Sequence, residues 1–90
     1  MALELLTTSA FERDVRRVLK QGKDLDKLEE VVNTLLDGKT LPVRSRPHPL
    51  RGDWAGHWDC HVAPDWILLY RLTAKALVLV RTGSHAELFG

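Results

Sequence analysis

The strongest constraint on this chain is a pair of apolar segments near its end, Trp66-Ile-Leu-Leu-Tyr-Arg-Leu72 and Ala76-Leu-Val-Leu-Val-Arg81. The first is apolar on both faces of a strand for most of its length, the pattern of a strand buried centrally in a sheet. Thr73-Ala74-Lys75 between them is too short for a crossover, so the second segment must return antiparallel. Strands of this kind need cover from other elements. With 90 residues, 44% of them hydrophobic, the chain can build one small core. The expectation is therefore a single domain over residues 1–90.

The first half supplies the cover. Residues 3–7 form a short apolar run suited to a first strand, and Ser9 with Glu12 gives the S-x-x-E pattern that opens a helix. Phe11, Val15, Val18 and Leu19 then fall on one stripe, with Arg13, Asp14, Arg16 and Arg17 opposite, and Gly22 is placed to end the helix. A second helix, capped by Asp24 or Asp26, presents Leu25, Leu28, Val32, Leu35 and Leu36 and stops at Gly38, just before Pro42. So short a link makes the two a helical hairpin. The fold class expected is α+β, with an N-terminal strand and a helical hairpin on one face of a small antiparallel sheet.

Residues 40–56 read as loop, punctuated by Pro42, Pro47, Pro49, Gly52 and Gly56. The prolines flanking His48 hold it in extended backbone. Residues 57–63 alternate: His57, Asp59 and His61 point one way and Trp58, Cys60 and Val62 the other, before a turn at Ala63-Pro64-Asp65. Thr82-Gly83-Ser84-His85 leaves the last strand, and Ala-Glu-Leu-Phe-Gly follows. All four histidines (His48, His57, His61 and His85) thus lie in the second half.

Charge follows the same division. Residues 1–40 carry 7 basic and 8 acidic side chains (net −1), and residues 41–90 carry 6 and 4 (net +2). Arg44, Arg46 and Arg51 surround His48, a patch compatible with a phosphate-bearing ligand. A lone cysteine, Cys60, rules out an internal disulfide and fits a reducing compartment. No apolar run approaches the ~20 residues of a membrane span. The N-terminal Met-Ala-Leu-Glu-Leu-Leu lacks the features of a signal peptide. A cytoplasmic protein is expected.

Neither a nucleophile elbow nor a glycine-rich phosphate loop is present. Histidines, carboxylates and an arginine without a side-chain nucleophile suit a reaction whose substrate brings its own. RNA does so through its 2′-hydroxyl. Its cleavage needs a base, an acid and a cation near phosphorus. The same residues admit a metal site at His57, Asp59 and His61, although cysteine pairs and the helical His-Glu-x-x-His spacing are missing. Cys60 faces away from that row and reads as a small buried hydrophobe.

Several motifs together resemble the YafQ family, ribosome-dependent endoribonuclease toxins of the RelE/ParE superfamily. They are His48-Pro49-Leu50, Gly52-x-Trp54-x-Gly56, Asp59-x-His61-Val62-x-Pro64-Asp65-Trp66-Ile67-Leu68-x-Tyr70, and Arg81-Thr82-Gly83-x-His85-Ala86-x-Leu88-Phe89-Gly90. The resemblance implies a type II toxin that cuts messenger RNA in the ribosomal A site and is held inactive by an antitoxin. It also implies active-site positions at His48, His61, Asp65, His85 and Phe89, with Arg81 as a basic position on the last strand. In that scheme His85 is general acid, Asp65 or His48 general base, His61 and Arg81 steady the phosphate, and Phe89 stacks on a base. Arg44, Arg46 and Arg51 join Arg81 and Phe89 as substrate-binding candidates. No cofactor or metal is expected. His57, Trp58 and Cys60 depart from the family pattern, which gives His57 no role. Two alternatives share the fold: a gyrase poison of the ParE type, and a non-catalytic interaction module. Neither needs clustered histidine and aspartate.

Overall fold

The computed structural model describes residues 3–90. Met1 and Ala2, which open the stretch read above as lacking a signal peptide, lie outside it. A strand β1 (Glu4–Thr7) is followed by helices α1 (Ser9–Lys20) and α2 (Leu25–Leu36), and then by strands β2 (His48–Pro49), β3 (Trp58–Ala63), β4 (Trp66–Leu72) and β5 (Ala76–Gly83). A five-residue helix, α3 (His85–Phe89), completes the described elements. The sheet order is β1-β5-β4-β3-β2.

β3, β4 and β5 form the expected antiparallel meander, with β4 central and Trp66 through Tyr70 buried. The sheet is mixed rather than purely antiparallel, because β1 pairs parallel to β5. A parallel partner requires a connection that crosses the sheet, here through the helices and three further strands. Cys60, Trp66, Leu68, Tyr70, Leu77 and Leu79 pack in one apolar cluster with buried residues of α1 and α2. Within it the Trp66 indole donates to Thr82 Oγ1 (2.9 Å), which donates in turn to the Ile67 carbonyl (2.9 Å).

Both helices end as their glycines predict, Gly22 at φ 78° and Gly38 at φ 70°. The cap of α1 lies one residue earlier than expected: Thr8, not Ser9, accepts from the Phe11 N–H, and its own hydroxyl donates to Val80. Asp24 caps α2. The apolar stripe of α1 also differs. Leu19 is 53% exposed, whereas Asp14, read as polar-face, is buried.

The reason for burying Asp14 is the outer edge of β5. β1 ends opposite Leu79, so β5 beyond that point has no strand neighbour on that side. α1 replaces one. The Thr82 N–H donates to Asp14 (3.1 Å), and Arg17 donates to the Thr82 carbonyl (2.8 Å) and to Asp14 (2.8 Å). Arg81 closes the group with Nε (2.6 Å) and Nη2 (3.1 Å) on the same carboxylate. Burial pushes the Asp14 carboxyl up, but bonds from Arg81, the Thr82 N–H and Arg17 outweigh it and hold the group below its ordinary value. The stabilisation is therefore present above pH 3.8 and is lost as pH falls through the lower folded value. Asp14→Asn is expected to cost about 2 kcal/mol at neutral pH, as for lost hydrogen bonds to a buried charge. Urea melts of both proteins should show that gap shrinking below pH 3.8; a constant gap would count against the assignment.

Candidate active site

Cross-strand register builds the site on the sheet face opposite Cys60 and Leu68. His48 pairs with Asp59, Asp59 with Leu69, and Leu69 with Arg81, which gives one row across four strands; His61, Ile67 and Gly83 form the next. The expectation that Asp59 and His61 share a face, with Cys60 on the other, fits this register. His57 precedes β3 and stands apart in the loop, where its Nδ1 lies 3.2 Å from the Trp54 carbonyl. The short strand β2 holds His48 in the extended backbone that its flanking prolines favour.

Asp59 is the centre of the arrangement. Its side chain is 4% exposed, and Oδ1 lies 2.9 Å from His48 Nδ1 without a well-directed hydrogen bond. Burial pushes this carboxyl above its ordinary value, and the charges of His48, His85 and His61 act against that shift. All three imidazoles thus lie within electrostatic reach of one buried carboxylate. His48 Nδ1 also faces the Arg46 carbonyl at 3.2 Å, so its Nε2 is the nitrogen left for a substrate. Arg46 itself adopts a left-handed backbone (φ 43°, ψ 56°), uncommon for a side chain of its size and the kind of local strain that clusters at functional sites.

α3 brings the remaining groups. The His85 ring lies 5.7 Å from that of His61, and its Nδ1 is 3.8 Å from Asp65 Oδ1. Asp65 occupies the tight β3–β4 turn at φ 53° and is largely exposed. Phe89, 41% exposed, stands 6.3 Å from His85 and edge-on to Trp54 at 6.2 Å, and Trp54 is edge-on to His57 at 5.3 Å. An aromatic wall therefore borders the imidazoles.

The candidate basic residues separate. Arg44 and Arg46 line a groove of about 510 Å³ with His61, Val62, Ala63 and Pro64, within the range of ligand-sized pockets. Arg51 is exposed ahead of a 3₁₀ turn at Gly52–Trp54 and does not line that groove. Arg81 belongs to the row of His48 and Asp59, but Nε and Nη2 serve Asp14, which leaves Nη1 for a substrate. Cys60 is fully buried, and burial together with Asp59 pushes its thiol up to about 12, consistent with an unreactive core residue.

Two residues of the site lie outside the active-site set that the resemblance implies. The sequence offers Asp59 as a titratable group and as a ligand candidate beside His57 and His61, not as the carboxylate at the centre, and Trp54 as part of a loop motif. The i, i+2 spacing of Asp59 and His61 was the available signal for the first. For Trp54 it was the glycines at 52 and 56.

The family model of YafQ, a bacterial toxin of type II toxin–antitoxin systems, matches residues 3–90. The chain is 49% identical over 82 residues to the mRNA interferase toxin YafQ of Escherichia coli K12, covering 89% of this chain and 88% of that protein. Its fold superposes on the toxin of the E. coli DinJ–YafQ toxin–antitoxin complex with a TM-score of 0.93 at 41% identity, covering all of both chains. A metal-bound toxin from Helicobacter pylori superposes at 0.90 with 37% identity, covering 97% of this chain and 99% of that one.

Proposed function

The chain belongs to the YafQ family of type II toxins, and on that premise we propose that it is an mRNA interferase acting on messages held in the ribosomal A site. The observation that carries this reading is geometric: His48 lies 2.9 Å from the buried Asp59, and the His85 ring stands 5.7 Å from that of His61 and 3.8 Å from Asp65, with Phe89 at the rim. RNA supplies the nucleophile, so the protein need only move protons and offset charge.

The roles follow from which ring nitrogen is free. His48 turns Nδ1 to Asp59 and the Arg46 carbonyl, which favours the tautomer with Nε2 unprotonated. That nitrogen takes the proton of the 2′-hydroxyl as the hydroxyl attacks phosphorus. Asp59 offsets the imidazolium that forms, as the buried aspartate of a catalytic triad does. His85 turns Nδ1 toward Asp65, so its protonated Nε2 donates to the departing 5′-oxygen. His61 and Nη1 of Arg81 face the charge on the phosphate, Arg44 and Arg46 guide the strand along their groove, and Phe89 with Trp54 stacks on a base. A cognate antitoxin is the expected partner in the resting state, as DinJ is for the E. coli relative.

The metal-bound H. pylori relative makes metal dependence a sharp test. Among the described residues no three His, Cys, Asp or Glu side chains converge at metal-ligand spacing, and the proposed mechanism uses no metal ion. Cleavage is expected to continue at full rate with a zinc and copper chelator, at magnesium that keeps ribosomes intact. Mapping the 5′ ends of cut messages in the same reactions should place the cuts within translated frames, and only when ribosomes are present. Loss of cleavage on chelation, restored by zinc, would overturn the metal-free mechanism. Equal cleavage of naked RNA would overturn ribosome dependence.

A further inference from the structure

α3 carries His85 and Phe89 on only five residues, far too few to be helical without outside support. One apolar anchor, Leu88, is buried. Phe89 and His85 add ring contacts to Trp54 and His61, and the polar support centres on one carboxylate. Glu87 Oε1 accepts from the Ser84 N–H (2.8 Å) while the Ser84 hydroxyl accepts from the Glu87 N–H (3.1 Å), a complete capping box. Glu87 Oε2 lies 3.0 Å from Arg17 Nε on α1, a charge contact without a well-directed hydrogen bond, and accepts from Nε2 of Gln21, the residue after α1, at 3.0 Å. The carboxylate thus starts its own helix with one oxygen and fastens it to α1 with the other.

Arg17 is fixed independently, since its other two nitrogens serve Asp14 and the Thr82 carbonyl. Its guanidinium therefore has a set position before Glu87 reaches it. Gly83 leaves the room: a Cβ there would collide with Arg17 Nη2 and crowd Glu87 Oε1. The chain runs from the strand edge through this gap into α3.

We propose that Glu87, gripped by Arg17 and Gln21, is a positioning residue that sets where His85 and Phe89 stand relative to His61 and Asp65. The functional part rests on the nuclease reading; the placement of α3 does not. None of the three contacts an imidazole of the cluster. Their effect passes through the backbone of α3, so the group controls geometry at His85 from the α1 side of β5. A displacement of about 1 Å at a reacting group is enough to slow a reaction by about 100-fold.

The test follows His85 itself. In Glu87→Ala the ring signals of His85, observed by NMR, should move toward those of a free histidine peptide, and the amides of 85–89 should lose exchange protection. Protection in β3 and β4 should be unchanged. Ribosome-dependent cleavage at saturating ribosomes should fall about tenfold through kcat, with KM nearly constant. Glu87→Gln keeps an acceptor for the Ser84 N–H without the charge toward Arg17, and should give a shift in the same direction of less than half the size. His85 signals unmoved in both variants would overturn the inference. If those signals move as expected while the wild type leaves ribosome-bound messages uncut, the nuclease reading fails and the positioning of α3 stands.

Discussion

His85→Ala is expected to abolish growth arrest and to lower ribosome-dependent cleavage by about 1,000-fold, within the range for a positioned acid–base group. The protein should otherwise be intact. His85 is the first residue of α3, its side chain is half exposed, and the Asp65 carboxylate lies 3.8 Å away. Nothing in the apolar cluster depends on the ring. The capping box runs through Ser84 and Glu87, and alanine is an excellent helix former, so α3 should persist. Removing the ring removes the proton donor and leaves Asp65 facing solvent. The checks are mapped 5′ ends of messages after induction, a melting curve matching the wild type, and capture by the cognate antitoxin. Cleavage within a few-fold of the wild type would remove His85 from the mechanism. A lowered melting point accompanying the loss would instead place the histidine in the fold.

Much of this architecture was legible because it depends on local patterns. The two-sided apolar run at Trp66–Tyr70 requires a central strand, and the helical stripes with their glycine stops require the pair of helices beside it. What escaped depends on contacts between residues distant in sequence. Asp14 reads as a solvent-facing helix residue; only the exposed edge of β5, 68 positions away at Thr82, makes its burial favourable. α3 is too short for periodicity to register, although Ser84 and Glu87 spell the same S-x-x-E cap read at Ser9 and Glu12. The parallel partner β1 cannot be paired from sequence, because a four-residue strand is compatible with either edge.

The candidate site divides along the same line. His48, His61 and His85 stand out by residue type, and their motifs resemble the family's, so they are candidates without coordinates. Their relation to Asp59 is a matter of register. His48 meets it only because β2 pairs with β3 at that residue, and a shift of one position would turn the carboxylate to the opposite face. Arg81 shows the converse. Its row is the expected one, yet most of its guanidinium is committed to Asp14, which sequence cannot anticipate because both partners then read as exposed charges.

Asp59→Asn is expected to separate catalysis from stability. Burial pushes the Asp59 carboxyl above 3.8, and the charges of His48, His85 and His61 do not cancel that shift. The folded state therefore holds this proton more tightly than the unfolded chain does. By linkage the ionised group subtracts from stability: the deficit is absent below pH 3.8 and grows until pH exceeds the raised folded value. Asparagine keeps the shape without the charge, so at pH 7 the variant should melt at or above the wild-type temperature, with the difference closing as pH approaches 3.8. Cleavage should move the other way, falling about 100-fold or more. A neutral amide neither stabilises the imidazolium of His48 nor enforces the tautomer that frees Nε2, the loss seen when a triad aspartate becomes asparagine. Paired melts from pH 4 to 8, with cleavage rates over the range that ribosomes tolerate, measure both. A variant that is less stable at pH 7 and cleaves normally would show that Asp59 holds the fold together and does not serve the histidines. A stable variant with slow cleavage would mean that this buried charge is retained at a cost in stability because His48 requires it.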